Sequence, residues 1–580
     1  ISCLRKRKKT KMLKNQNAKK PNDKSLYTPH YPQGVTWEED LQTGTIHSLL
    51  DATAKEFGTK TAFNFLDKSW TWKELHSLSV KFAKSLQDRG YGKGTKIGLC
   101  LPNTPYYLIA YYAISRIGAT IVNFNPLYAD KEIEHQINDS ECDVMITVDL
   151  KLVHEKVEKR FEDTDLKSII VCRFTDLLPF PKNILFNIFK SGDKAKINKS
   201  DKRIEWFQDL VIHDMSPEDV DIDIENDVAL LQYTGGTTGL PKGAMLTHAN
   251  ITGNVAQASN WFPDLNRGED KMVGVIPFFH VFAMTAVLNL SVKNGFEIIA
   301  TPRFDLKDTL DLIETHKPRF FVAVPAIYTA INNYSKLGKY NLRSLDYCIS
   351  GGAPLPVEVK KTFEKTTGCY MVEGYGLTES SPVVTINPPG GKNPEASIGL
   401  PLPGTLVKIV DKDDGTTELG LDDPGELCVK GPQVMKGYWN KDEETAKVLK
   451  DGWLHTGDVA KIDEDGFIYI VDRIKDLIIT NGYNVYPRHV EEAIYAHDAV
   501  DECIVAGIPD SQRGEIVKAW IKLKDGRNLD KNELNKFLED RLSKIERPRK
   551  IEFREQPLPK TMIGKLSRKD IQKEEQEKQE

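Results

Sequence analysis

The sequence predicts an α/β protein, with a large N-terminal domain of βα-layered sheets followed by a smaller α+β C-terminal domain. Three observations carry this expectation. At 580 residues the chain exceeds what one hydrophobic core holds, so two or more domains are expected. Helical and strand patterns alternate from Thr45 to Thr175, and alternating βα units imply parallel sheets with helices on both faces. After Val471 the pattern changes to short strands mixed with a few helices, which suits a small α+β domain.

In chain order, Trp72–Arg89 places Trp72, Leu75, Leu78, Phe82 and Leu86 at helical spacing, and Gly90 ends the run. Lys96–Leu101 reads as a buried strand, Tyr106–Ile117 as a helix and Ala119–Asn123 as the next strand. Met272–Leu290 holds no Asp, Glu, Lys or Arg over nineteen residues. Pro277, His280 and Asn289 argue against a lipid-spanning helix there, so a buried strand–loop–helix is expected. Further on, Leu477–Thr480 and Cys503–Ala506 read as strands, Val490–Ala496 as a helix opening near Pro487, Val517–Leu523 as an alternating, half-buried strand, and Leu534–Leu542 as a helix. The charged run Asp472-Arg473-Ile474-Lys475-Asp476 marks the boundary, giving domains of residues 45–471 and 472–580.

Ile1–Lys20 contains nine basic residues, no acidic one and no apolar stretch of the signal-peptide kind. Residues 1–44 are therefore expected to be a basic, disordered extension and lead-in. The net charge of −5 exerts no overall pull toward nucleic acid, and eight scattered cysteines without a CxxC pair suit a reduced, cytoplasmic protein. Asp176–Arg203 interrupts the βα pattern like an insertion. If Pro181 opens a helix, Ile184, Leu185, Ile188 and Phe189 share one face, and Lys182, Asn183 and Asn187 lie away from it. Seven basic and two acidic residues fall between Lys182 and Arg203. Packing of this helix on its own domain is the first expectation; peripheral contact with an anionic membrane at its inner face is the second.

The stretch on which function turns is Tyr233-Thr234-Gly235-Gly236-Thr237-Thr238-Gly239-Leu240-Pro241-Lys242-Gly243, after the strand-like Val228–Gln232. Four glycines let backbone N–H groups approach an anion, and three threonines and a lysine add donors and charge, which suits a polyphosphate. It is not a Walker A motif, since Lys242 follows Pro241 and precedes Gly243. The loop resembles the phosphate-binding signature of the adenylate-forming superfamily: acyl-CoA synthetases, luciferases and peptide-synthetase adenylation domains. Its Thr-Gly-Gly-Thr-Thr-Gly form is similar to that of bacterial long-chain fatty-acid–CoA ligases, and the likeness runs from about Thr45 to Asp570.

The resemblance implies a role for each motif that follows. In the loop, Thr234, Gly235, Gly236, Thr237, Thr238, Gly239 and Lys242 would bind ATP, with Thr234 also near Mg²⁺. Pro277-Phe278-Phe279-His280-Val281-Phe282 would lie beside the substrate carboxylate, making Phe278, His280 and Phe282, with Gly351, candidates for the acyl pocket. Peptide-synthetase domains carry an aspartate in that segment to meet an amine; none occurs here, which favours an acid without an α-amine. Gly352 and Ala353, after the strand-like Leu345–Ile349, would approach the nucleotide.

In Glu373-Gly374-Tyr375-Gly376-Leu377-Thr378-Glu379, the tyrosine would stack on adenine, Thr378 would meet the α-phosphate and Glu379 would help hold Mg²⁺. Asp458, in Trp453-Leu454-His455-Thr456-Gly457-Asp458, would accept both ribose hydroxyls. Arg473 would contact ribose and phosphate, and Lys475 would sit at a hinge joining the two domains. Gly482 and Tyr483 would line a CoA channel after rotation, and Lys565, in Pro559–Lys565, would be the catalytic lysine. Ile479 departs from relatives that place a nucleotide-contacting lysine there.

The implied activity is ATP-dependent ligation of a fatty acid to CoA through an acyl-adenylate, with Mg²⁺ as cofactor; a homodimer is left open. A ligase for medium-chain or aryl acids, an acyl-AMP ligase feeding a separate carrier protein, and a non-catalytic nucleotide- or lipid-binding protein remain as alternatives.

Overall fold

The computed structural model describes residues 20–234, 241–481, 483–510, 512–561 and 565–578. The runs Lys96–Cys100, Thr120–Asn123, Val144–Val148 and Ser168–Cys172 form the parallel centre of an eight-stranded sheet. Their near-continuous burial is that of strands covered on both faces. One of the covering helices, Pro105–Arg116, is buried along nearly its whole length. Val228–Thr234 extends the sheet in parallel, then Lys242–Thr247 returns antiparallel beside it, so that Thr234 pairs with Lys242. The glycine-rich candidates Gly235, Gly236, Thr237, Thr238 and Gly239 lie outside the described residues, as does Gly482.

A nine-stranded sheet stands beside the first. Its parallel part is built from Thr61–Phe65, Glu297–Ala300, Lys271–Gly274, Phe320–Ala323, Tyr347–Ser350 and Tyr370–Gly376. The helix Trp72–Asp88 begins at a capping box, in which Thr71 Oγ1 accepts from Glu74 N at 3.2 Å and the Glu74 carboxylate accepts from Thr71 N at 2.7 Å. Met272–Leu290 is the buried strand, loop and helix that its sequence predicts, with Met284–Asn289 wound as a π-helix. A five-stranded antiparallel sheet, including Gly425–Lys430, Trp453–Ile462 and Ile468–Arg473, completes the large part.

Hydrophobic contacts fall into three clusters among the described residues. One continuous cluster extends from Leu26 to Ile468, and two smaller clusters begin at Ile478 and Ile504. The smaller clusters lie on either side of the strand Gly514–Leu523: Val517, Ala519 and Ile521 face one, and Ile516 and Trp520 the other. Val517–Leu523 is therefore not half-buried as its alternation suggested, because the helix Arg568–Glu577 brings Ile571 to the second face.

One further expectation is corrected. Within residues 1–44 the part from residue 20 onward is folded. Tyr27 is fully buried, Tyr31 bonds the carbonyl of Pro401 and meets the Trp261 ring edge-on at 4.8 Å, and Trp37 Nε1 donates to Thr405 O at 3.1 Å. Three aromatic anchors outweigh the polar composition around them. The helix Lys182–Phe189 forms and packs on its own domain through Phe186, which meets the Phe174 ring at 5.3 Å, although none of its residues is fully buried. Among the described residues, no helix is long and apolar enough to cross a membrane, and the seven cysteines are buried thiols.

Candidate active site

Strand ends from the large domain and a loop from the small one converge on a cleft of 2780 Å³. At its centre, Tyr375, at the end of Tyr370–Gly376, donates through Oη to Asp458 Oδ2 at 2.6 Å. Asp458 lies within the strand Trp453–Ile462, opposite Arg473, whose Nε stands 3.5 Å from Asp458 Oδ1. The sequence motif around His455 has a local reason. The imidazole Nδ1 bonds Glu426 Oε2 at 2.8 Å while Gly457 N donates to Glu426 Oε1 at 3.0 Å, which clamps the strand just before Asp458. Cys428 Sγ lies 3.5 Å from the same imidazole nitrogen, so three metal-capable side chains gather there that no sequence spacing announced.

Thr378 and Glu379 open a short 3₁₀ turn at the cleft wall. Glu379 Oε1 accepts from Tyr438 Oη at 2.6 Å, leaving its second oxygen for another partner. Thr234 and Lys242 line the same wall, where Lys242 pairs with Glu444 at 3.0 Å and sits 4.6 Å from the Tyr438 ring centroid. A hard carboxylate oxygen and a hydroxyl facing one polar wall are ligands that Mg²⁺ accepts. Gly352, Ala353, Gly374 and Gly376 also line the cleft, and Gly352 takes a φ of +79°, which favours glycine. Glu373 faces it from a buried position; Leu355 N donates to its Oε1 at 3.2 Å, and burial pushes its carboxyl up to about 7.

The small domain contributes Lys475 and Lys565. Thr561 N donates to Lys565 O at 2.6 Å. Burial, and then the like charge of Arg473, push the Lys565 ammonium down to about 7, with Asp458 opposing them. Lys475 is displaced in the same direction by burial and Arg473. Beside them Arg568 ties the domain boundary to its own domain, donating to Glu491 at 2.6 Å and to Asp476 at 3.0 Å.

The apolar side of the cleft is formed by Phe279, Phe282, Phe262, Ala286, Leu290 and Val322. The Phe282 ring lies so close over Gly351 that a Cβ there would stand 2.9 Å from Cζ, which accounts for the glycine. His280 lines the cleft next to this wall, and burial, with the nearby charge of Lys565, pushes its imidazole down to about 4, so it is neutral at pH 7.

Two candidates fall elsewhere. Phe278 is fully buried against Phe63 and Tyr107 in the domain core, and its neighbour Phe279 faces the cleft instead. The segment is an irregular turn before a helix, so no strand or helix period indicates which ring points inward. Tyr483 is 60% exposed on the strand Tyr483–Val485 and lies outside the cleft. Ile479 is also exposed, its N–H donating to Glu515 Oε2 at 2.8 Å. Sequence reasoning missed Tyr438, which belongs to a two-residue strand beside Lys242–Thr247 and has no motif of its own.

This fold, with an aromatic–carboxylate pair, a threonine–glutamate turn and a lysine from a second domain on one cleft, defines a nucleotide-dependent acid-activating protein. Comparison with known proteins agrees: residues 50–439 match the AMP-binding enzyme family and residues 489–565 the AMP-binding enzyme C-terminal domain, and the chain belongs to this family. It is 45% identical over 557 residues, 94% of this chain and 97% of the other, to the long-chain-fatty-acid–CoA ligase of Bacillus subtilis strain 168. It is 36% identical over 558 residues, 95% of this chain and 98% of the other, to the protein of the same name from Salmonella typhimurium. The 4-coumarate–CoA ligase 5 of Oryza sativa subsp. japonica is 33% identical over 508 residues, 86% of this chain and 88% of the other. Among solved structures, ATP-bound MatB from Rhodopseudomonas palustris superimposes with a TM-score of 0.80 at 26% identity, covering 92% of this chain and 99% of that one.

Proposed function

We propose that the chain ligates a long-chain fatty acid to coenzyme A in two half-reactions, consuming ATP and releasing AMP and pyrophosphate. The observation that carries this reading is a single cleft with two characters. A polar wall of Thr378, Glu379, Asp458, Arg473 and Lys565 continues into an apolar one running from Phe282 to Leu290 and Phe262. An acid with a hydrocarbon tail matches both.

In the first half-reaction a carboxylate oxygen of the fatty acid bonds to the α-phosphorus of ATP, and the bond to pyrophosphate breaks. Negative charge gathers on the α-phosphate oxygens, where the Thr378 hydroxyl and the Lys565 ammonium would stabilise it. Neutral His280 adds no second cation against the carboxylate. Mg²⁺ would be held by Glu379 and Thr234, and when bound it neutralises phosphate charge. Tyr375 would offer its face to adenine, and Asp458 would exchange its bond with Tyr375 for the ribose hydroxyls. In the second half-reaction the CoA sulfur bonds to the acyl carbon, the bond to AMP breaks, and the thiol proton leaves to solvent.

Because Lys565 faces the cleft while Tyr483 lies outside it, a rotation of the small domain about Lys475 would exchange them between the two steps. ATP and CoA as cosubstrates, with an acid that partitions into lipid, support a cytoplasmic setting with access to membrane lipid.

Pyrophosphate release in the presence of CoA, compared for palmitate, octanoate and coumarate, tests this reading; palmitate is expected to give the highest kcat/KM. A preference for coumarate would overturn it in favour of an aryl-acid ligase, the reading to which the rice relative points.

A further inference from the structure

The helix Lys182–Phe189 is built inside out. A surface helix ordinarily turns its apolar stripe inward and its polar face to water. Here Phe186 alone among the apolar side chains turns inward, meeting the Phe174 ring at 5.3 Å, with Asn183 the other partly covered position. Ile188 and Phe189 are 62% and 77% exposed, Ile184 and Leu185 nearly half exposed, and Phe180, just before the helix, is 80% exposed. Single exposed apolar residues need no explanation, but five large ones on one projecting turn and helix form a patch. Leu152, 75% exposed, adds to this side of the domain: it lies two residues past Leu150, which bridges to Lys194.

The stretch from Lys182 to Arg203 carries a basic excess. Downstream of the helix, Lys196, Lys199 and Lys202 are exposed and form no ion pair among the described residues. Lys182, Lys190 and Lys194 are also nearby, paired to Asp67, Asp193 and Asp149 respectively. A second copy of the chain docked on this face would bring two basic segments together, which like-charge repulsion opposes. A helix of eight residues cannot span a bilayer, but it can lie in the headgroup region, held by apolar burial and by attraction to anionic lipid.

We propose that Phe180 and the outward face of Lys182–Phe189 insert into an anionic phospholipid surface, with the lysines of residues 194–202 over the headgroups. This rests on the ligase reading for its purpose, since a substrate that partitions into lipid is met where it resides, but its test is independent of that reading.

The full-length protein is floated with vesicles of phosphatidylcholine alone and of phosphatidylcholine mixed with phosphatidylglycerol. Wild type is expected to float with the anionic vesicles and much less with the neutral ones, and added salt should reduce flotation. The double variant Ile188→Asp, Phe189→Asp should drop to background while keeping its rate on a soluble short acid. It retains the basic residues of Ile1–Lys20, so its loss of flotation isolates the helix from that segment. Lys196→Glu with Lys199→Glu and Lys202→Glu should lose the preference for anionic vesicles. The proposal is overturned if wild type stays at the bottom of the gradient or if the double variant floats as wild type does. It is also overturned if the substitutions abolish a dimer seen in lipid-free sedimentation instead of flotation, because the face would then be an interface between copies. Absence of ligase activity with intact flotation would sink only the ligase reading.

Discussion

Tyr375 and Asp458, 83 residues apart in the chain, share a hydrogen bond of 2.6 Å in the centre of the cleft. The phenol thus occupies one of the carboxylate oxygens proposed for ribose, and Arg473 approaches the other. A hydrogen bond to a charged group is worth about 1.5–3 kcal/mol. Asp458→Ala is therefore expected to raise the KM for ATP by roughly 10- to 100-fold in ATP–pyrophosphate exchange. Tyr375→Phe keeps the aromatic face and should change KM only a few-fold. A larger effect from the phenylalanine than from the alanine would show that the pair is structural.

Lys565 is expected to serve the first half-reaction only. Its ammonium, held down to about 7 by burial and by Arg473, is pulled back toward the charged form when the phosphates of ATP enter. Lys565→Ala should slow acyl-adenylate formation by about 10²–10³-fold, the usual loss when one donor to a developing oxyanion is removed. Thioester formation from supplied acyl-adenylate should stay within a few-fold of wild type. Equal losses in the two assays would refute this division.

Rotation at Lys475 is expected to connect the two steps. The residue sits in the short turn Ile474–Asp476, between the core that ends at Ile468 and the one that begins at Ile478. Lys475→Pro locks φ and removes an N–H, so one half-reaction should suffer far more than the other. Rates of both half-reactions near wild type would move the pivot elsewhere.

Glu373 makes stability depend on pH. Burial raises its carboxyl to about 7 in the folded chain, against 4.5 as its ordinary value. The folded state then holds a proton between these values that the unfolded state has released, so the group favours folding below about 4.5, and that contribution is lost as pH rises through about 7. The full shift corresponds to at most about 3 kcal/mol. Glu373→Gln keeps an acceptor for Leu355 N and cannot ionise. Its melting temperature should exceed that of wild type at pH 8, with the gap closing toward pH 5, as read by differential scanning fluorimetry. A constant gap across this range would mean that ionisation of Glu373 is not the cause.

The sequence by itself determined the class of fold and the order of the motifs, and through the family resemblance it proposed the roles of Thr378, Glu379, Asp458 and Lys565, which line one cleft. Each motif is a short run in which residue type and neighbours together express a role, and βα alternation is a periodicity of the chain. What depended on distant segments was decided only by tertiary structure. Which of Phe278 and Phe279 faces the cleft follows from where Phe63 and Tyr107 stand. The bond from Tyr438 to Glu379 spans 59 residues and is made by a two-residue strand too short to carry a pattern. The strand Gly514–Leu523 is covered on both faces because a helix some fifty residues later packs beneath it, although its alternation suggests one wet face. Likewise, the hydrophobic face of Lys182–Phe189 is written in the residues, but its direction is not. A helical period tells which side chains share a side, and only the surrounding fold tells whether that side meets protein or water.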